Sequence, residues 1–109
     1  TSLDDKNLKE LGHTRKLKKL VFIQAKLAAK AKLDALVCSA HEVRNVKKIF
    51  KKEIITPGIR MNNKTNDQKR VMSPKDAFQN GSDWLVIGRS VTKNNIKKNF
   101  KNLIDQIYK

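Results

Sequence analysis

At 109 residues the chain bounds one domain with a modest core. Its formal charge of +15 invites a nucleic-acid reading, yet the lysines sit between apolar positions on several separate helical stretches. Few aromatics are available for base stacking and no common binding motif occurs, so a lysine-rich surface over an ordinary core is the simpler account. The lone Cys38 cannot form an internal disulfide and reads as a buried thiol, and no zinc-type ligand set is present. No apolar run approaches a membrane span and no signal peptide opens the chain, which makes the cytoplasm the default location. The first residue is Thr1 rather than methionine, as expected of a piece of a longer protein.

In chain order, Thr1-Ser2-Leu3 is too short to classify and fits the last residues of a strand. Asp4 to Gly12 predicts a short helix, with Leu8 and Leu11 three apart and Gly12 as its stop. Leu17, Leu20, Val21, Gln24, Leu27, Ala28 and Ala31 keep a helical period, with Lys16, Lys19, Lys26 and Lys30 mostly off that stripe. A basic amphipathic helix can also lie on a membrane surface, but neighbouring segments offer this one a sheet to pack on. Leu36-Val37-Cys38 is a strand. Ser39-Ala40-His41-Glu42 has the spacing of a capping box and opens a helix reaching to about Phe50, with Val43, Val46 and Phe50 on its apolar face. His41 in its first turn has neither a carboxylate nor a nucleophile at a telling distance, and reads as a solvated or packing residue.

Glu53 to Thr56 is the next strand, stopped by Pro57-Gly58. From Ile59 to Val71 neither helical nor strand period appears; polar loops of this length inside a domain are usually functional or disordered. Ser73-Pro74-Lys75-Asp76 reads as an N-cap, a proline at the first helical position and a first-turn acid, and Gly81 as the left-handed stop. Trp84 to Ile87 is a short, wholly apolar run, as in a strand buried on both faces of a parallel sheet. It runs into Gly88-Arg89. A glycine that lets an anion approach the backbone, an always-charged guanidinium and a following helix start together make a phosphate site. The same residues equally fit a strand, a tight turn and a solvated arginine. A last helix from about Asn94 carries Ile96, Phe100, Leu103, Ile104 and Ile107 on one face.

Alternating strands and helices imply a parallel sheet with right-handed crossovers, an α/β fold. Three strands and a stub are too few for a doubly wound domain and suit an arc of a (βα)8 barrel, a partial TIM barrel whose function sits at the C-terminal strand ends. Such an arc leaves two open edges and an uncovered inner face, which favours association.

Thr56-Pro-Gly-Ile-Arg60, Asp67-Gln-Lys-Arg-Val-Met-Ser-Pro74 and Val86-Ile-Gly-Arg-Ser-Val-Thr92, with Val37-Cys-Ser-Ala40, resemble in order and spacing the C-terminal half of orotidine 5′-phosphate decarboxylase. The resemblance covers essentially the whole chain. It implies the C-terminal portion of one barrel domain, residues 1–109, from the end of strand five through helix eight, with no second domain. It implies conversion of orotidine 5′-phosphate to UMP and CO2 without metal or organic cofactor, in a homodimer. By motif, Gly88 and Arg89 would bind the nucleotide phosphate and Arg60 would be the second phosphate-side cation, with Pro57 beside it. Gln68 would reach over phosphate and pyrimidine, and Thr1 would touch the ring.

The family's Asp-x-Lys-x-x-x-Asp charge network is absent: Asp4-Asp5-Lys6 and Asp67-Gln68-Lys69 lack the later aspartate. No catalytic residue is therefore expected in this chain, which would need an N-terminal half to act. Two alternatives remain at this stage. One is a non-catalytic remnant or nucleotide-phosphate-binding module; the other is a small basic nucleic-acid-binding protein.

Overall fold

Each predicted strand forms beside the next one in sequence, so that β1 (Ala35–Val37), β2 (Glu53–Thr56) and β3 (Trp84–Leu85) make one parallel sheet in the order β1-β2-β3. The structure, a computed structural model, describes residues 2–61 and 72–108. Around the sheet lie α1 (Asp5–Glu10), α2 (Leu17–Lys30), α3 (Ala40–Val46), α4 (Pro74–Asn80), α5 (Arg89–Thr92) and α6 (Ile96–Tyr108). Helix packs on helix in the sequence α2, α3, α4, α6, with α5 against α6. A helical layer thus follows the strand order, as right-handed βα crossovers dictate.

Two apolar clusters join the layers. Ala25 of α2, Val43 and Val46 of α3, Ile54 of β2 and Phe50 of the turn between α3 and β2 form the first; Ala40, Ile59 and Ala77 form the second, with Leu85 and Ile87 packed against it. The faces of α3 and β2 are therefore those the periodicity predicts. The opposite sheet face is bare. Parallel register sets Val37, Ile55 and Trp84 in one row, and strand alternation puts Val86 on the same side as Trp84. Val37 is 64% exposed, Trp84 59% and Val86 53%. The expectation that Trp84 to Ile87 is buried on both faces is thus corrected: Leu85 and Ile87 meet the helices while Trp84 and Val86 meet none. A single helical layer covers one side, and the extents of 43 × 31 × 18 Å describe a slab.

Other expectations shift at element ends. Ser2 and Leu3, expected as the end of a strand, join none of the described strands. Helix α3 stops at Val46; Lys48 and Ile49 turn onward by bonding the carbonyls of Asn45 and Val46, three residues back. Ser39 caps α3 without its side chain, since the Glu42 N–H donates to the Ser39 carbonyl (2.9 Å) and leaves the buried hydroxyl unpartnered. A capping box does form at α1, between Asp4 and Asn7. Cys38 is half-buried rather than buried, packed at the rim of the first cluster. On α6 only Leu103 is buried, and Ile96, Phe100 and Ile104 are exposed.

One carboxylate ties three elements together. Asp83, just before β3, accepts from Lys47 Nζ beyond α3 (2.7 Å) and from the Ile54 N–H of β2 (2.8 Å), while its own N–H donates to the Ile54 carbonyl (3.0 Å). The Lys47 hydrogen bond, then the Ile54 N–H, hold the Asp83 carboxyl below its ordinary value of 3.8 against a smaller opposing effect of burial. A depressed folded value stabilises the fold fully above the unfolded value, and that contribution is lost as pH falls through the folded one. Asp83→Asn keeps an acceptor for Ile54 but removes the ion pair, and is expected to cost about 1 kcal/mol or less at neutral pH, the pair being surface-exposed. Urea melts should show parent and variant converging below about pH 4; a difference independent of pH would refute this account.

Candidate functional site

Parallel strands deliver their following loops to one edge of the sheet, and ligands commonly bind there because irregular backbone leaves polar groups for them. Here that edge holds the segments after β2 and β3. The end of β2 is held to the end of β3 by Val86 N–H donating to the Thr56 carbonyl (2.9 Å), and to the chain entering β3 by a buried bond between Thr56 Oγ1 and Ser82 Oγ (2.6 Å). Adjacent strands therefore leave the sheet side by side.

After β2, Pro57 is half-buried and Gly58 turns with φ +74°, a conformation in which a side chain is strained. Ile59 drops into the second cluster at 1% exposure. Arg60 N–H donates to the Met72 carbonyl (3.1 Å) and Met72 N–H to the Gly58 carbonyl (3.3 Å), with Ile59 and Met72 in a parallel bridge. The two ends of the long polar segment are thus stapled at its neck. Arg60 is half-buried at that staple. Gln68 and Thr1 lie outside the described residues.

After β3 the chain turns at Gly88 into α5, a four-residue helix not itself predicted from the sequence, standing ahead of the last helix expected from about Asn94. Val91 and Thr92 N–H groups donate to the Gly88 carbonyl (2.9 and 3.0 Å), and Asn99 of α6 donates to the Val91 and Lys93 carbonyls. The first-turn N–H groups of Arg89 and Ser90 have no intrahelical partner, as at any helix start. A Cβ built on Gly88 meets nothing within 4 Å, so the space before this turn is open. Arg89 is exposed beside it.

The two segments meet. Met61 N–H reaches Ser90 Oγ (3.5 Å) and Gln106 Nε2 of α6 reaches the Met61 carbonyl (3.4 Å), both long contacts. Pro57 and Arg60 are accordingly brought to the same sheet edge as Gly88 and Arg89. Sequence reasoning did not single out Ser90 or Gln106 as the residues joining them: Ser90 stands in the motif, whereas nothing local marks Gln106. Chemically, one open glycine turn with arginines on two adjacent segments suits an oxyanion. Among the described residues no group of three or more His, Cys, Asp or Glu could hold a metal ion.

Comparison with known proteins matches this geometry to one family. The model of the orotidine 5′-phosphate decarboxylase / HUMPS family matches residues 1–99. The orotidine 5′-phosphate decarboxylase of Wolbachia pipientis subsp. Culex pipiens is 47% identical over 95 residues, covering 85% of this chain and 42% of that protein. The Coxiella burnetii enzyme of the same name (strain RSA 493) is 48% identical over 96 residues, covering 85% and 41%. Among solved structures, orotidine 5′-phosphate decarboxylase from Lactobacillus acidophilus superposes with a TM-score of 0.74 at 25% identity, covering 99% of this chain and 45% of that one. An uncharacterized conserved protein from Geobacillus kaustophilus gives 0.72 at 29% identity, covering 98% and 45%. The chain spans less than half the length of these relatives.

The Thr56–Ser82 bond is testable apart from any ligand. Thr56→Val leaves a buried hydroxyl without its partner and is expected to cost about 1–3 kcal/mol, whereas Thr56→Val with Ser82→Ala should recover most of that loss. Denaturant melts of the four proteins in the cycle measure it, and strictly additive losses would contradict the assignment.

Proposed function

The chain belongs to the orotidine 5′-phosphate decarboxylase / HUMPS family, and from that premise we propose that it is the C-terminal part of an orotidine 5′-phosphate decarboxylase. In this reading it supplies the phosphate-holding end of a site that converts orotidine 5′-phosphate to UMP and CO2 in the cytoplasm. The observation that carries the proposal is the joining of the Pro57–Met61 and Gly88–Ser90 segments at one sheet edge. Arg89 and the backbone at Gly88 hold the phosphate dianion, Arg60 is the second cation, and Pro57 shapes the approach. Gln68 and Thr1, outside the described residues, complete the contacts to phosphate and pyrimidine. The family's homodimer is part of the same proposal, and neither a nucleic acid nor a membrane surface is needed as partner.

Phosphate takes no part in breaking the carbon–carboxylate bond. Its binding energy serves to close a loop over the ring, expel water and orient the reacting centre. The chemistry itself asks for a proton donor and a carboxylate crowding the departing CO2, and the sequence holds no Asp-x-Lys-x-x-x-Asp to provide them. That absence favours a second reading as well, a nucleotide-phosphate-binding piece that performs no catalysis by itself.

Calorimetry with UMP separates these readings from a generic basic surface. Charge-assisted bonds to phosphate contribute about 1.5–3 kcal/mol each, so Arg89→Ala is expected to weaken UMP binding by about tenfold to a hundredfold. Gly88→Ala, whose Cβ has room, should leave the melting temperature unchanged while reducing affinity. UMP binding indifferent to both substitutions would overturn the site. The chain alone is expected to show no turnover of orotidine 5′-phosphate; measurable release of CO2 would refute the division between phosphate grip and chemistry.

A further inference from the structure

Helix α6 turns an unexpected face inward. The apolar row Ile96, Phe100 and Ile104 is exposed, while Asn99, Leu103 and Gln106, at i, i+4 and i+7 of one helical stripe, face the rest of the chain. Leu103 is the one buried residue of this helix. The amides on either side of it each reach a different segment of the site edge.

Asn99 holds α5. Its side-chain amide donates to the Val91 carbonyl (3.0 Å) and to the Lys93 carbonyl (2.6 Å). A four-residue helix cannot persist on its own hydrogen bonds, and α5 buries none of its residues. Its shape is therefore imposed from outside. The last carbonyls of a helix lack intrahelical partners, and Asn99 brings two donors to that end. The junction keeps Asn99 in reach: Asn94 takes the left-handed conformation (φ +65°), and Asn95 Oδ1 accepts the Lys98 N–H (3.0 Å) at the start of α6. At the other end of α5 the Gly88 carbonyl accepts from the Val91 N–H (2.9 Å), the Thr92 N–H (3.0 Å) and Thr92 Oγ1 (3.3 Å). Because a peptide unit is rigid, that convergence fixes the Gly88–Arg89 plane and the direction in which the Arg89 side chain leaves the backbone. Gln106 acts on the other segment. About 10 Å further along the axis, at 1.5 Å per residue, its Nε2 reaches the Met61 carbonyl (3.4 Å), next to Arg60.

We propose that α6 is the ruler that spaces the phosphate grip, with Asn99 and Gln106 as its positioning residues. Asn99 sets Gly88 and Arg89 through α5, and Gln106 sets Arg60 through Met61. This inference rests on the reading of that edge as a phosphate site. Asn99 is the stronger arm, with two short bonds, and Gln106 the weaker, with one long contact. Neither side chain touches the ligand. Each acts by narrowing the orientations that the two arginines sample before phosphate arrives, which lowers the entropy lost on binding.

The test uses the full chain, UMP as probe, and variants that remove donors without adding charge. In calorimetry Asn99→Leu is expected to weaken UMP binding by about tenfold, two hydrogen bonds being lost, and Gln106→Leu by about twofold to threefold. In the Arg89→Ala background Asn99→Leu should add little, because a residue acting through Arg89 then has nothing left to position. Asn102→Leu, at an exposed position of the same helix, should change nothing. In the ligand-free protein the amide NMR signals of Gly88, Arg89 and Ser90 should move in Asn99→Leu and that of Met61 in Gln106→Leu, while the Ser82 signal stays. Circular dichroism melts confirm folding, and Gln106→Leu, the milder change, carries the test if Asn99→Leu does not fold. Affinity losses that add fully in the double variant overturn the ruler. So do Gly88 to Ser90 signals that ignore Asn99→Leu, or a Met61 signal that ignores Gln106→Leu. A parent chain that binds no UMP overturns the phosphate reading instead, and the amide signals still decide whether α6 sets the turn.

Discussion

The site edge depends on the anchoring of β3 to β2 by Asp83. Strand β3 has two residues, and two rungs, Ile55 to Trp84 and Thr56 to Leu85, carry little register information by themselves. The Asp83 carboxylate adds what the ladder lacks: bound by both Lys47 Nζ and the Ile54 N–H, it tolerates no one-residue slip without losing both. Lys47 also donates to the Lys52 carbonyl (3.1 Å), so the turn from α3 into β2 is held by the same ammonium group. Five residues beyond Asp83 stands Gly88. The position of the glycine turn relative to Pro57 and Arg60 is therefore set by a polar clamp at the opposite end of the strand.

The sheet carries its helices on one side. Ile54 and Thr56 are fully buried, whereas Val37, Trp84 and Val86 face outward from an uncovered surface with no described strand beyond β1 or β3. Apolar side chains in that position lose the transfer energy that covering would supply, about 25 cal/mol for each Å² left exposed. The family relatives are more than twice as long as the matched region, and the apolar inner row is what one expects of strands whose other face meets further protein. Charge follows a different logic. Lys18, Lys19, Lys26 and Lys30 on α2 and Lys97, Lys98 and Lys101 on α6 are exposed, and such side chains cover apolar surface with their stems while their ammonium groups stay in water.

Local chemistry explains which expectations held. Ser73-Pro74, Gly81 and Gly12 act through their own backbone geometry and hydrogen bonds within a few residues, and each does what its spacing predicts. The faces of α3 and β2 follow from period alone. Where expectations shifted, a distant or competing partner decided. Ser39 failed as a side-chain cap because a backbone carbonyl, its own, took the Glu42 N–H first. The depth of Trp84 could not be read from its apolarity, since burial depends on what lies across the sheet.

The sequence by itself determined the α/β alternation, the parallel order, the helix stops and the placement of Pro57-Gly58 and Gly88-Arg89 just after strands, because these depend on periodicity and on residues acting on their own backbone. Tertiary structure alone decided that the segments after β2 and β3 meet through Met61, Ser90 and Gln106, and that Thr56 and Ser82 share a buried bond. Those contacts join residues 26 to 45 positions apart. No local preference encodes such a pairing; it exists only once the sheet and its helical layer have set the distances.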